Sequence, residues 1–417
     1  MSNCFLPADI LIPEGICMTL WSVVACDQYT SQPEYWQRVR TQVGDCPSTL
    51  NMILPEAYLN TPEEDNLSND IRHTMERYLN DGVFRELKNS FILTERTLEH
   101  GRVRRGLIGR VDLEDYDYSP DSHSLIRATE GTVVSRLPPR IRVRQGAALE
   151  FPHIMILCDD PENQLLGPII QKKDKLECLY DFELMESGGH IKGYLVDSEN
   201  MLSFEAQLAE YTKNIPLKYP DLPNANIVFA MGDGNHSLAT AKACWEKLKS
   251  EDPTVIGTEH PARYALVEMI NIHDPALEFE PIHRIITETE PNQLLNELLA
   301  QCGTLSEDIG WPVQWYAGNE SGTIFLDHSK GELAVGILQA FLDTYLETHE
   351  GSIDYIHGDD VVKELSSADR TIGFLLPGME KSQLFRGVIA DGVLPRKTFS
   401  MGHANEKRFY LEGRRIR

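Results

Sequence analysis

Apolar residues recur at three- and four-residue spacing in several stretches, which predicts amphipathic helices over SQPEYWQRVRTQV, FEAQLAEYTK, HSLATAKACWEKLKSE, QLLNELLAQC and LAVGILQAFLDTYLETHE. The same spacing runs through residues 63–100, where Ile71, Met75, Tyr78 and Leu79 are followed, beyond a turn at Asp81-Gly82, by Phe84, Leu87 and Phe91; this reads as a long helical scaffold. Alternating or continuously apolar runs predict strands in WSVVACDQYT, RVRRGLIGRVDLEDYDY, HIMILCDDPE, KLECLYDFEL, HIKGYLVDS, NIVFAM (226–231), RYALVEMINIHD, VQWYAG, GTIFLDH, SIDYIHG and TIGFLLPG. Helices interleaved with strands make this a mixed α/β chain with much antiparallel connectivity. A junction is expected at Glu290-Pro291. It separates a core of residues 1–290 from a smaller α/β unit at 291–393, and a tail over 394–417 folds back on the core.

Length and charge narrow the function classes. The 417 residues suffice for two or three domains, without internal repeats or low-complexity tracts. Net charge is −25, from 39 Lys and Arg against 64 Asp and Glu, a balance that repels nucleic-acid backbones and anionic membrane surfaces. No nucleic acid and no membrane partner is expected. The longest apolar run, at 333–342, is about half of the ~20 residues a bilayer span needs. The first basic residue is Arg38, so no basic leader is visible and a cytoplasmic location is expected. Eight scattered cysteines never form CxxC, so free and mostly buried thiols are expected.

Candidate chemistry concentrates in a strand, GDGNH turn and helix at 226–250. Gly232 and Gly234 permit close backbone approach, Asn235 or Ser237 can cap the helix, and the helix N-terminus makes an anion site. Asp233 could hold Mg²⁺ or accept a proton, and His236 could donate to a phosphoryl oxygen. An unliganded capped turn needs the same residues, so both readings stay open. No Lys follows the glycines as in a Walker loop. A second feature is basic: Arg127, Arg136, Arg140, Arg142 and Arg144 stand in one window of an acidic chain, where Arg binds phosphate or carboxylate bidentately. Alternation places Arg140, Arg142 and Arg144 on one strand face, where solvent exposure suffices to explain them. Arg127 and Arg136 are the better anion ligands, with Glu130 between them as a base, metal ligand or ion-pair partner. Asp27, the strand-ending Asp159 and Asp160, His283-Arg284, Arg396, Lys397 and His403 are lesser candidates. The DLEDYDY run lacks the Gly and distal Glu of a calcium loop, and no Ser elbow, HExxH or CxxC pair occurs. Residues 396–417 carry seven Lys or Arg against two Glu, so positive charge gathers in the tail and the 127–144 window, and a small anionic ligand follows.

MGDGNHSLATAK resembles the Asp-Gly-x-His turn of an uncharacterised prokaryotic family, domain of unknown function 1015. The segments ACDQYTSQPEYW, IRATEGTVVSR, HIMILCDDP, PIHR and LPRKTFSMGHANEKRFY fit that family in the same order over nearly the whole chain. The turn is also similar to the Asp-Gly-His-His-Arg turn of the ParB and sulfiredoxin-like superfamily, which includes nucleotide-dependent free-serine kinases, partition proteins and sulfiredoxins. The resemblance implies a ParB/sulfiredoxin-like core with a nucleotide site on Asp233–His236, and Glu130 and Arg136 match a Glu and Arg of the family's middle segment. Here Asn235 precedes His236 and Ser237, so one cationic phosphate ligand of the superfamily turn is missing; Arg136, Arg284 or Lys397 would replace it. Sulfiredoxin chemistry lacks its Cys beside the turn, because Cys244 lies well into the helix. The function expected is a phosphotransferase using ATP or ADP with Mg²⁺ on a small hydroxylated metabolite such as free serine. In that role Asp233, Glu130 and His236 are catalytic, and Gly232, Gly234, Asn235, Ser237, Arg127, Arg136, Arg284 and Lys397 bind phosphate. The alternatives are a non-catalytic nucleotide or phospho-metabolite sensor or assembly protein, and a DNA-binding partition-like protein, for which no basic helix-turn-helix is found. A homo-oligomer is compatible with all three.

Overall fold

A computed structural model describes residues 3–59, 61, 64–132 and 137–417. The chain is a mixed α/β protein built on a ten-stranded sheet and a six-stranded sheet. The larger sheet runs in the order Glu177–Glu183, His190–Leu195, Ile92–Thr97, Val103–Asp112, Tyr264–Asn271, Met155–Cys158, Phe229–Asp233, Ile126–Arg127 and Tyr116–Asp117, with Phe5–Leu6 added beside Val103–Asp112. Its first half is antiparallel, while Met155–Cys158 lies parallel to Tyr264–Asn271 and antiparallel to Phe229–Asp233. The central strands are buried on both faces, and alternate residues point to different cores: Ile154, Ile156 and Cys158 to one side, Met155 and Leu157 to the other.

The six-stranded sheet is antiparallel and already includes His283–Thr287, ahead of the expected junction at 290. The helices Pro291–Cys302, Ala334–Leu346 and Lys381–Ala390 pack in the core of this unit, and that core runs on into Met155, Leu157, Ala230 and Ile270 of the larger sheet. One apolar core therefore runs without a break from the six-stranded sheet to one face of the larger sheet. The tail is integral: Phe399–Met401 pairs with Phe279–Pro281, Phe409–Tyr410 with Val23–Val24, and Arg414–Arg415 with Leu149–Glu150.

Three expectations are corrected. The helix of the 63–100 stretch ends at Asn80, and Gly82 at φ 69° turns the chain into the strands Phe84–Ser90 and Ile92–Thr97. Residues 137–144 form a helix, not a strand, with Pro138 and Pro139 in the first turn, where a missing N–H is harmless. The cysteines are free, but only Cys4 and Cys158 are buried. No helix of the described residues is long and apolar enough to cross a membrane.

Candidate functional site

The Phe229–Asp233 strand ends at the turn that the sequence singles out, and the 17-residue helix Asn235–Glu251 leaves it. Gly234, at φ 79° and ψ 27°, stands at the N-cap in the left-handed region, and no side chain caps the helix. Neither Asn235 nor Ser237 is therefore the cap. A Cβ on Gly234 would lie 3.0 Å from Ile154 Cα and 3.2 Å from Ile154 Cγ1, so glycine is favoured by both conformation and space. Asp233 Oδ1 accepts the Gly234 N–H at 2.8 Å, and Oδ2 lies 3.4 Å from Lys407 Nζ. Asn235 Oδ1 is buried with no hydrogen-bond partner among the described residues. An uncapped helix start carries partial positive charge and N–H groups suited to an anion.

This turn lines a cleft of about 1010 Å³, to which Tyr355 and His357 and residues 396, 397, 399–404 and 407 also contribute. Carboxylates enter from five segments: Asp27 after the Val23–Val24 strand, Glu56, Glu130 after Ile126–Arg127, Asp233, and Glu280; Glu56 is paired with Arg140. Facing them are Arg140, Arg396, Lys397 and Lys407, with His153, His236, His357 and His403. Burial pushes the Glu130 carboxyl above its usual range, opposed by Lys397 and reinforced by Asp233. Burial also lowers His357, and the nearby cations Lys397 and Lys407 act in the same direction. Asp27 is held below the usual carboxylate range: burial opposes this, but His153, Gln28 and Lys407 outweigh it.

His153 is 3% exposed and stands two residues before Met155, which pairs with Asp233, so the sheet register delivers it to the turn. Its Nδ1 lies 2.8 Å from the Tyr410 hydroxyl; its Nε2 lies 3.5 Å from Ser237 Oγ and 3.8 Å from Asp27 Oδ2. Nothing in the sequence flags His153, a lone histidine leading into an apolar strand. Lys407 was also missed, although it sits in the basic tail segment that carries the resemblance.

Of the residues expected to bind phosphate or act on it, Gly232, Gly234, Asn235, Ser237, Asp233, His236, Glu130 and Lys397 all line the cleft. Arg127 does not. Its guanidinium is buried and donates to Ser124 O at 3.0 Å, Asn224 O at 2.9 Å and the Asn226 side chain, so it braces a loop. Arg284 is corrected as well. Wholly buried, it donates to Ile282 O at 2.6 Å, Lys397 O at 3.0 Å, Arg396 O at 3.2 Å and Gln339 Oε1 at 2.7 Å, so it holds the backbone that presents Arg396 and Lys397. Burial lowers its pKa to about 10. Arg136 lies outside the described residues. Arg140, Arg142 and Arg144 pair with Glu56, Glu64 and Glu150, and only Arg140 reaches the cleft. Three of the seven tail cations are likewise structural: Arg408 bridges Glu268 and Glu412, Arg414 binds Glu150, and Arg417 meets Glu76. Asp159 is tied to Lys218, Tyr219 and His273, away from the cleft lining. Among the described residues no group of three or more His, Cys, Asp or Glu is arranged to hold a metal ion.

Comparison with curated proteins returns no match. Among solved structures the chain is similar to a conserved hypothetical protein from Pyrococcus furiosus, at 11% identity and a TM-score of 0.34, covering 71% of this chain and 90% of that one. It is also similar to a free serine kinase in complex with AMP, at 9% identity and a TM-score of 0.38, covering 74% and 91%. A third likeness is to SbnI with C-terminal truncation from Staphylococcus aureus, at 9% identity and a TM-score of 0.36, covering 71% and 82%. The family model described as protein of unknown function (DUF1015) matches residues 13–386, and the chain belongs to that family.

Proposed function

We propose that the cleft binds a nucleotide through its phosphates and transfers the terminal phosphoryl group to the hydroxyl of a small metabolite. The observation that carries this reading is the uncapped start of the Asn235–Glu251 helix opening on a large cleft, where Arg396, Lys397 and Lys407 face the carboxylates of Glu130 and Asp233. Cations and helix N–H groups suit the charge on a polyphosphate, while a carboxylate suits the proton of an acceptor alcohol. Lys407 and Lys397 supply the positive charge that the turn lacks relative to the superfamily turn.

The Gly232–Ser237 turn cradles phosphate oxygens, and His236 and Lys407 stabilise charge on the group in transit. Glu130, whose proton affinity is raised by burial, accepts the acceptor's hydroxyl proton nearer neutral pH than an ordinary Glu. The acceptor oxygen forms its bond to phosphorus as the bond to the bridging oxygen breaks, and the shortened nucleotide leaves. Asp233 and Glu130 are hard oxygen donors of the kind that hold Mg²⁺ together with phosphates, and the ion would neutralise phosphate charge. Asp233 would exchange its contact with Lys407 for that role.

The test is phosphate transfer from ATP with Mg²⁺ across a panel of small alcohols and hydroxy amino acids. Asp233→Asn is expected to abolish turnover while leaving the circular dichroism spectrum and melting cooperativity intact. Full turnover by that variant removes the role given to Asp233. Nucleotide binding without transfer to any acceptor supports the sensor reading instead.

A further inference from the structure

A smaller cavity of about 150 Å³ opens off the cleft and shares with it Glu56, Leu59, Pro139, Arg140, His153 and Ser237. Much of its wall is hydrocarbon and thioether, from Met52, Leu54, Met75, Val143, Leu149 and Phe151 among others. Close-packed interiors contain few voids larger than a water molecule, and a dry apolar cavity of about this volume accommodates a benzene ring. The polar groups in its lining are engaged elsewhere. Arg144 donates to Glu150 at 2.5 Å, and Glu150 also accepts from the Leu266 N–H at 2.8 Å and Arg414 Nε at 2.9 Å. Thr240 donates to His236 O at 2.7 Å, the Tyr410 hydroxyl accepts the Cys26 N–H at 3.2 Å and contacts His153, and Arg140 pairs with Glu56. Burial, with Asp27 beside it, pushes the Cys26 thiol up to about 12, so it lines the wall as a neutral group.

A nucleobase placed here would lose its hydrogen bonds to water without replacing them, which disfavours it. A hydrocarbon group would lose nothing. At the mouth stand His153 Nε2 and Ser237 Oγ, 3.5 Å apart, with Ser237 in the first turn of the helix whose start faces the cleft. One helical turn rises about 5.4 Å, so a polar group emerging at this mouth is within reach of a phosphate on that helix end. Serine, the acceptor suggested by resemblance, carries no hydrocarbon to fill the cavity.

We infer that this cavity is the acceptor subsite and takes an aryl or branched-alkyl group, so that the acceptor is an alcohol bearing a hydrocarbon about the size of benzene. The inference rests on the phosphotransfer reading for the word acceptor, whereas the cavity's preference for hydrocarbon stands by itself. The experiment titrates the full chain with 2-phenylethanol, followed by ligand-observed saturation-transfer NMR, and separately with ADP by calorimetry. Saturable 2-phenylethanol binding is expected, weakened at least tenfold by Val143→Phe, with L-serine failing to displace the probe. ADP affinity should stay within about twofold of the unsubstituted protein. Met52→Ala enlarges the cavity and should admit 2-(2-naphthyl)ethanol, which the parent excludes; it carries the test if Val143→Phe fails to fold. Binding that does not saturate, or that neither substitution alters, overturns the inference. If ADP does not bind while the probe and its dependence on Val143 and Met52 persist, the hydrocarbon site stands and the nucleotide reading falls.

Discussion

Replacing Gly234 by alanine perturbs the turn with a single methyl group. At φ 79° a residue with a Cβ bears about 1–2 kcal/mol of left-handed strain. The new Cβ would also lie 3.0 Å from Ile154 Cα, a backbone atom just ahead of the Met155–Cys158 strand and not a side-chain tip that can swing aside. Such overpacking costs about 1–3 kcal/mol, so the total expected is about 2–5 kcal/mol. Gly131→Ala is the matched control. It lines the same cleft, is not among the residues with positive φ, and a Cβ there meets no described atom within 4 Å, so a change within about 0.5 kcal/mol is expected. Urea denaturation followed by tryptophan fluorescence reads the stability difference, and calorimetry with ADP reads the site. If relaxation displaces the helix start from the cleft, ADP affinity falls about tenfold or more, since about 1.4 kcal/mol is one decade. Equal midpoints for Gly234→Ala and Gly131→Ala, with equal ADP affinity, would falsify the geometric account of the turn.

Three further outcomes follow from the same cleft. Glu130 faces Lys397, Lys407, Asp233 and, behind the wall, Arg284; its raised pKa means the folded state favours the protonated form. Its contribution to stability is therefore fully present below the ordinary Glu range and is lost as pH rises through the raised value. ADP affinity should weaken across that window while transfer rate rises, and a Glu130→Gln protein that keeps both pH dependences contradicts the assignment. Lys407→Met removes the ammonium 3.4 Å from Asp233 and should lower ADP affinity about 10- to 100-fold, the scale of a hydrogen bond to a charged group, with a weaker salt dependence in the same titration. Arg284→Met leaves the carbonyls of Ile282, Arg396 and Lys397 without their buried donor and should cost about 3 kcal/mol or more in urea, with looser presentation of Lys397 read as a higher KM.

Strongly periodic segments were legible. Pro291–Cys302 and Ala334–Leu346 carry apolar stripes that only a helix satisfies, and the GDGNH turn was visible because glycine beside an aspartate between a strand and a helix has few other uses. Residues 84–97 misled because burial there does not follow hydrophobicity. Glu95 and Arg96 in Ile92–Thr97 are buried, with Glu95 matched to Arg105 at 2.8 Å and Arg96 donating to the Gly188 carbonyl at 2.9 Å. The alternation of Arg140, Arg142 and Arg144 suggested a strand, yet Pro138-Pro139 just ahead was a helix-start signal. Arg127 and Arg284 show the limit of reading charge alone. An arginine buried against carbonyls and one facing a cleft look alike until the fold brings Asn224 or Lys397 to them. His153 reaches the turn only through the pairing of Met155 with Asp233, a register the sequence does not declare.

A crystal structure of the protein grown with ADP tests the central claim most directly. The account predicts phosphate density against the Gly232–Ser237 turn at the start of the Asn235–Glu251 helix, with Lys407 and Lys397 turned toward it. Nucleotide bound away from that turn, or none bound at saturating concentration, would contradict it.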